Sequence, residues 1–223
     1  MATQGVVLNL NVGNLAESLR LLIILTLIAV SPLLLAMFTS FTRIIVVLSF
    51  LRRALGLQTT PSNQILIALA LILTFYTMAG VIAKINSDCI EKYLKGEKTF
   101  QQALKDSTFY VKKFMVNNVS KKSVLFFSEL ANFDLSKLKK MDDIPWIILA
   151  PAFVVSELKI AFQIGIIIML PFLVIDLVVA SVIMGMGMMM LPPAMISLPF
   201  KVLLFVMIDG WHLVIGSLVR SFS

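Results

Sequence analysis

Residues 144–223 read IPWIILAPAFVVSELKIAFQIGIIIMLPFLVIDLVVASVIMGMGMMMLPPAMISLPFKVLLFVMIDGWHLVIGSLVRSFS. The stretch is apolar enough to live in lipid, yet it carries Pro145, Pro151, Pro171, Pro192, Pro193 and Pro199 and the ionisable residues Glu157, Lys159, Asp176, Lys201 and Asp209. Proline removes a helical hydrogen bond and clashes with the preceding turn. Interrupted helices persist at membrane depth only where protein or a water-filled cavity covers the freed backbone groups. The pattern therefore predicts broken hydrophobic helices that line a gate, pore or transporter rather than a pair of plain spans.

The rest of the chain agrees with a bilayer protein. Of 223 residues 59% are apolar and 14% charged, and the mean hydropathy is +0.98. Soluble domains carry about 45–50% apolar and about 25% charged residues, so a water-soluble fold is excluded for most of the chain. The reading divides it into an N-terminal segment 1–19, a first hydrophobic helical hairpin 20–83, a polar helical insert 84–143 and a second hydrophobic region 144–223. No basic stretch precedes the first apolar run, so a secretory signal is either absent or already removed. Residues 64–83 are an uncharged run of 20, long enough to span a bilayer, with Ser62 or Asn63 placed to cap its start.

The net charge of +7 does not point to nucleic acid. Residues 84–143 hold 12 of the 19 Lys and Arg and 8 of the 12 Asp and Glu, a mixture of signs netting +4. No basic run is interleaved with stacking aromatics. Arg52 and Arg53 read as topology signals, placing the first link in the cytoplasm by the positive-inside rule and the insert on the opposite side. The single cysteine, Cys89, reads as a buried small residue. No catalytic constellation, metal cluster or cofactor motif is visible.

Charges inside an apolar stretch demand partners. Each costs about 2.5–3.5 kcal/mol at a helix centre, roughly 12–18 kcal/mol for five. Helical neighbours lie three or four residues away, and at those spacings only Asp209 has an ionisable neighbour, His212. The others must snorkel or pair with another helix or another chain; Glu157 with Lys201 is the preferred opposite-charge pair. The run Met184, Gly185, Met186, Gly187, Met188, Met189 and Met190, followed by Leu191-Pro192-Pro193, reads as a loop or helix break. Methionine is unbranched and polarizable and packs against changing shapes, so a ring of such loops suits a yielding seal. Apolar filler and a thioether site for Cu(I) are the other readings of the run, and a small secondary transporter or ion channel is the other reading of the carboxylates.

Three stretches go further. SFTRIIVVLSFLRRALGLQTTPSNQ (residues 40–64), PAFVVSELKIAFQIG (151–165) and LPFLVIDLVVASVIMGMGMMMLPPAMISLPFKVLLFVMIDGW (170–211) resemble the FliP family of the flagellar type III export gate, whose injectisome counterpart is SctR. The resemblance covers roughly residues 20–83 and 146–222. It implies an all-helical, non-enzymatic membrane subunit without cofactors. Its partners would be FliQ-type and FliR-type subunits, FlhB-type and FlhA-type export proteins, and the unfolded flagellar proteins that pass through. It further implies about five copies in a head-to-tail helical hetero-oligomer, the arrangement that heterologous interfaces with a rise produce. The location implied is the bacterial inner membrane at the flagellar basal body, with much of the assembly on the periplasmic side. By motif, Met188, Met189 and Met190 correspond to the methionine gasket, with Met184 to Gly187 as a possible extension, and Glu157 and Lys201 to subunit contacts.

Overall fold

The computed structural model describes residues 12–135, 143–188 and 192–222. The described residues are helical throughout, with turns between helices and no strand: α1 (Val12–Phe38), α2 (Phe41–Ala54), α3 (Asn63–Thr77), α4 (Ala79–Ile85), a π-helical turn (Asn86–Ile90), α5 (Glu91–Leu94), α6 (Phe100–Asn118), α7 (Lys121–Leu130), α8 (Trp146–Gly185), α9 (Pro193–Met207) and α10 (Gly210–Arg220). Two helices are long and apolar enough to cross a membrane by themselves, within Leu19–Phe38 and Trp146–Gly185. The bent pairs α3 with α4–α5 and α9 with α10 raise the number of candidate spans to four.

Residues Met1–Ala36 and Met37–Ser223 are separate compact units. In the first, α1 is apolar around its circumference, and Leu19, Leu21, Leu22, Ile23, Leu25 and Ile28 are all exposed. A helix hydrophobic on every side needs lipid or other protein around it.

In the second unit, two cores are strung along α8. At 40 residues and about 1.5 Å per residue, α8 is about 60 Å long, twice the roughly 30 Å of a bilayer's hydrocarbon core. Its first turns bury Ile148, Leu149, Ala152 and Phe153 against Phe114 and Met115 of α6 and Val124 of α7. Its middle, through Ala161 and Phe172, joins Ile44, Val47, Leu48 and Leu51 of α2, Leu66 and Ala70 of α3, Phe205 of α9 and Leu218 of α10. Gly165 lets α2 close on α8, since a Cβ there would stand 2.6 Å from the Phe50 ring. The last third of α8 is largely bare.

Two sequence expectations change. Pro151 and Pro171 lie inside α8 without ending it; the breaks fall instead after Gly185 and between Met207 and Gly210. Residues 64–83 are not one straight span, because α3 stops at Thr77 and the chain turns by 62° into α4. Two threonine hydroxyls bond back to the helix at that turn. Thr74 Oγ1 donates to the Ala70 carbonyl at 2.6 Å, Thr77 Oγ1 donates to the Thr74 carbonyl at 3.0 Å, and such back-bonding bends helices. Ser62 takes the N-cap position of α3 with an extended backbone but without a side-chain bond.

The polar helices form a second small assembly around Cys89, which is fully buried in the π-helical turn. Tyr110 donates its hydroxyl to Asp88 at 2.5 Å, and this bond pushes the phenol up to about 12. Lys98 ties the Asp88 carbonyl to the Asp106 carboxylate, and Thr99 opens α6 with a reciprocal capping box.

Candidate functional site

The features that set this chain apart are the α8–α9 hairpin and the charges beneath it. The turn at the end of α8 is dictated by one glycine. Gly187 has φ +75; its N–H donates to the Met184 carbonyl at 3.0 Å, and the Met188 N–H donates to the Ile183 carbonyl at 3.2 Å. That is a Schellman close, which satisfies the last helical carbonyls and requires a left-handed residue. Met184 and Gly185 are therefore the last residues of α8 rather than part of the loop, and the loop proper starts at Met186. Pro193 opens α9, a position where its missing N–H is harmless. Met188 is 40% exposed; Met189 and Met190 lie outside the described residues.

These two glycines carry a prediction. A Cβ on Gly185 meets nothing within 4 Å, so Gly185→Ala should be neutral or stabilising by up to about 1 kcal/mol. Gly187→Ala should destabilise the hairpin by about 1–2 kcal/mol through the left-handed conformation it enforces. Thermal unfolding of the detergent-solubilised variants checks both, and equal melting temperatures would refute the assignment of the turn to Gly187.

Below the loop the hairpin is cross-braced. Asp176 on α8 accepts from Ser197 Oγ at 2.6 Å and from Lys201 Nζ at 2.6 Å, both on α9. Ser197 is fully buried, and Lys201 nearly so. Above this brace the facing walls are wholly apolar and enclose a cleft of about 520 Å³ lined by Val174, Val178, Val182, Met186, Met188 and Phe200, among others.

The second charged cluster holds α8 to α2. Arg43 Nε donates to Glu157 Oε2 at 2.8 Å and Nη2 to Oε1 at 2.5 Å, the bidentate fork that guanidinium and carboxylate geometries favour. Arg43 Nη1 donates to both the carbonyl and the hydroxyl of Ser221, just past α10, at 2.7 and 2.9 Å. The Phe222 ring lies 3.8 Å from the guanidinium carbon, a cation–π distance. Arg43 is 1% exposed and Glu157 fully buried. One arginine thus joins α2, α8 and the C-terminal end of α10.

The preferred pairing of Glu157 with Lys201 is therefore corrected. Each finds its partner on another helix of the same chain, Arg43 for Glu157 and Asp176 for Lys201. Asp209 and His212 do meet, at 2.8 Å, both well exposed at the break before α10, where Asp209 takes a left-handed backbone. Arg43 and Ser221 were not singled out by the sequence; the only signal was that Arg43 is a charge inside an apolar run. Arg52 Nη1 donates to the Pro61 carbonyl and to Asn63 Oδ1, pinning the α2–α3 link, while Arg53 is exposed. Among the described residues, no three His, Cys, Asp or Glu side chains gather into a cation site.

The profile of the FliP family matches residues 24–218, which takes in α2, α8, the loop, α9 and nearly all of α10. The chain belongs to the FliP family. It is 47% identical over 211 residues to the flagellar biosynthetic protein FliP of Aquifex aeolicus, covering 95% of this chain and 88% of that protein. Over 209 residues it is likewise 47% identical to the flagellar biosynthetic protein FliP of Bacillus subtilis, covering 94% of each. The matched span is longer than the motifs alone suggested, because it runs through the polar helices as well. Within this FliP family chain, both interhelical ion pairs and the glycine-closed methionine turn lie inside the matched region.

Proposed function

We propose that the chain is a core subunit of the flagellar type III protein export gate. It builds the secretion pore with further copies of itself and with FliQ-type and FliR-type subunits, and it seals the pore with the loop carrying Met188, Met189 and Met190. It acts without catalysis or cofactor in the bacterial inner membrane, with residues 84–143 on the periplasmic side. The observation that carries this reading is the braced hairpin, a rigid polar clamp at Asp176, Ser197 and Lys201 below a methionine turn with apolar walls. A clamp fixes where the loop sits, while unbranched thioether side chains let its surface yield. The bare flanks of α1, α8 and α9 support burial in a larger assembly. The ion-transporter reading loses ground, since Glu157 and Asp176 are each already engaged by a cation of the same chain.

The test is a side-chain series at Met188, Met189 and Met190 in the full assembly. Leucines should seal nearly as well as methionines, because they fill similar volume. Alanines should make the closed pore leak small solutes, measured as growth inhibition by normally excluded compounds or as conductance in planar bilayers. A triple alanine variant as tight as the parent would refute the gasket.

A further inference from the structure

The last turn of α2, at the mouth of the α2–α3 link, holds two arginines whose positive charge nothing in the described chain neutralises. At the end of α2, Gly56 adopts φ +77, its N–H donates to the Arg53 carbonyl at 3.0 Å and the Leu57 N–H donates to the Arg52 carbonyl at 3.1 Å. The last carbonyls of the helix are thus consumed by the chain itself, and the helix end offers little partial negative charge to the arginine side chains. Arg52 spends one nitrogen on two neutral oxygens, of Pro61 and Asn63. The Arg53 side chain makes no hydrogen bond or ion pair among the described residues. The ammonium of Lys201 reaches the same link, 4.0 Å from where a Cβ on Gly56 would stand, and its charge is matched by Asp176. Two guanidinium groups are left facing a polar cavity of about 520 Å³ lined by Arg52, Arg53, Gly56, Leu57 and Gln58.

The setting says what would fill it. The helix to which Arg52 is tied through Asn63 turns apolar at once, with Ile65 and Ile72, seven residues apart on one face, both exposed, so the cavity stands at the polar rim of a lipid-compatible surface. We propose that this cavity binds the phosphate of an anionic phospholipid, with Arg52 and Arg53 gripping the phosphate oxygens, Gln58 at the rim, and the acyl chains lying along the isoleucine face of α3. Guanidinium matches phosphate as a planar fork, and basic pockets between membrane helices are recurrent sites for anionic head groups. Gly56 contributes by having no side chain to occupy the cavity. The arginines would then do more than set topology, anchoring the link to one leaflet.

Native mass spectrometry of the full chain, purified in mild detergent with its co-purifying subunits and exchanged with phosphatidylglycerol or phosphatidylcholine, tests this. Phosphatidylglycerol should be retained in preference to phosphatidylcholine by the parent and by Arg220→Gln, a basic residue elsewhere. Retention should fall about fivefold in Arg53→Gln and about 30-fold in the Arg52→Gln, Arg53→Gln double variant, from about 1 kcal/mol per basic residue. The Arg53 side chain makes no hydrogen bond or ion pair among the described residues, so Arg53→Gln decides the matter if the double variant does not fold. Equal retention by Arg53→Gln and the parent, or equal retention of the two lipids, overturns the proposal. Displacement of phosphatidylglycerol by millimolar inorganic phosphate overturns the lipid as the source and assigns the cavity to a free anion.

Discussion

Replacing Arg43 by methionine should destabilise the folded chain by about 3–5 kcal/mol, the effect of leaving one member of a buried ion pair without its partner. Glu157 is fully buried, and without Arg43 its carboxylate has no other hydrogen-bond donor in the described structure. Ser221 and Phe222 lose their anchor in the same step, so the end of α10 should loosen as well. Glu157→Leu should be nearly as damaging, since it strands the guanidinium. The double variant Arg43→Met, Glu157→Leu should recover much of the loss, because apolar residues of similar volume often replace a buried pair at little cost. Thermal or denaturant unfolding in detergent, followed by helical circular dichroism, measures the cycle. Strictly additive losses would refute a direct coupling between the two side chains. Protection of the α10 amides from hydrogen exchange should fall in Arg43→Met.

The coupled pair also shows what could and could not be read from the chain. Composition and apolar run lengths were enough for a membrane protein; that it is all-helical was what the family resemblance implied. Arithmetic on helical neighbours was enough to show that Glu157, Asp176 and Lys201 need partners elsewhere. Which partners was illegible, because Arg43 and Glu157 are 114 residues apart and periodicity carries no information about which helices meet. The same limit applied to the prolines. Pro171 costs one helical hydrogen bond, but Ala161 and Phe172 pack into one core on either side of it, and the helix runs on through it. The break at Thr77 was illegible for the opposite reason: no proline stands there, and the hydropathy reads as continuous across it. The methionine run was legible as a turn, though only its second glycine makes the turn. Gly185 sits in the helix and Gly187 in the left-handed region, a distinction that two identical letters cannot carry.

Asp176→Asn should be the most informative lesion in the hairpin, and it should be worse than Lys201→Met. Removing the carboxylate leaves the Lys201 ammonium, 5% exposed, without a counter-charge and next to the doubly basic link of α2 and α3. The expected loss is about 3 kcal/mol, the lower end for an orphaned buried charge, because the Asp176 side chain itself is 36% exposed. Removing the lysine instead leaves Asp176 still held by Ser197 and partly open to its surroundings, so Lys201→Met should cost only about 1 kcal/mol. The asymmetry has a functional counterpart. The brace fixes α8 to α9 two to three turns below the methionine loop, so splaying it should misplace the loop without altering a single methionine. On the export-gate reading, Asp176→Asn should then leak small solutes as the Met188, Met189 and Met190 alanine series does. Asp176→Glu, which keeps the charge but overreaches by one methylene, should fall between. A leak in the alanine series with none in a folded, membrane-inserted Asp176→Asn would show that the loop holds its place without the brace and would separate the two features.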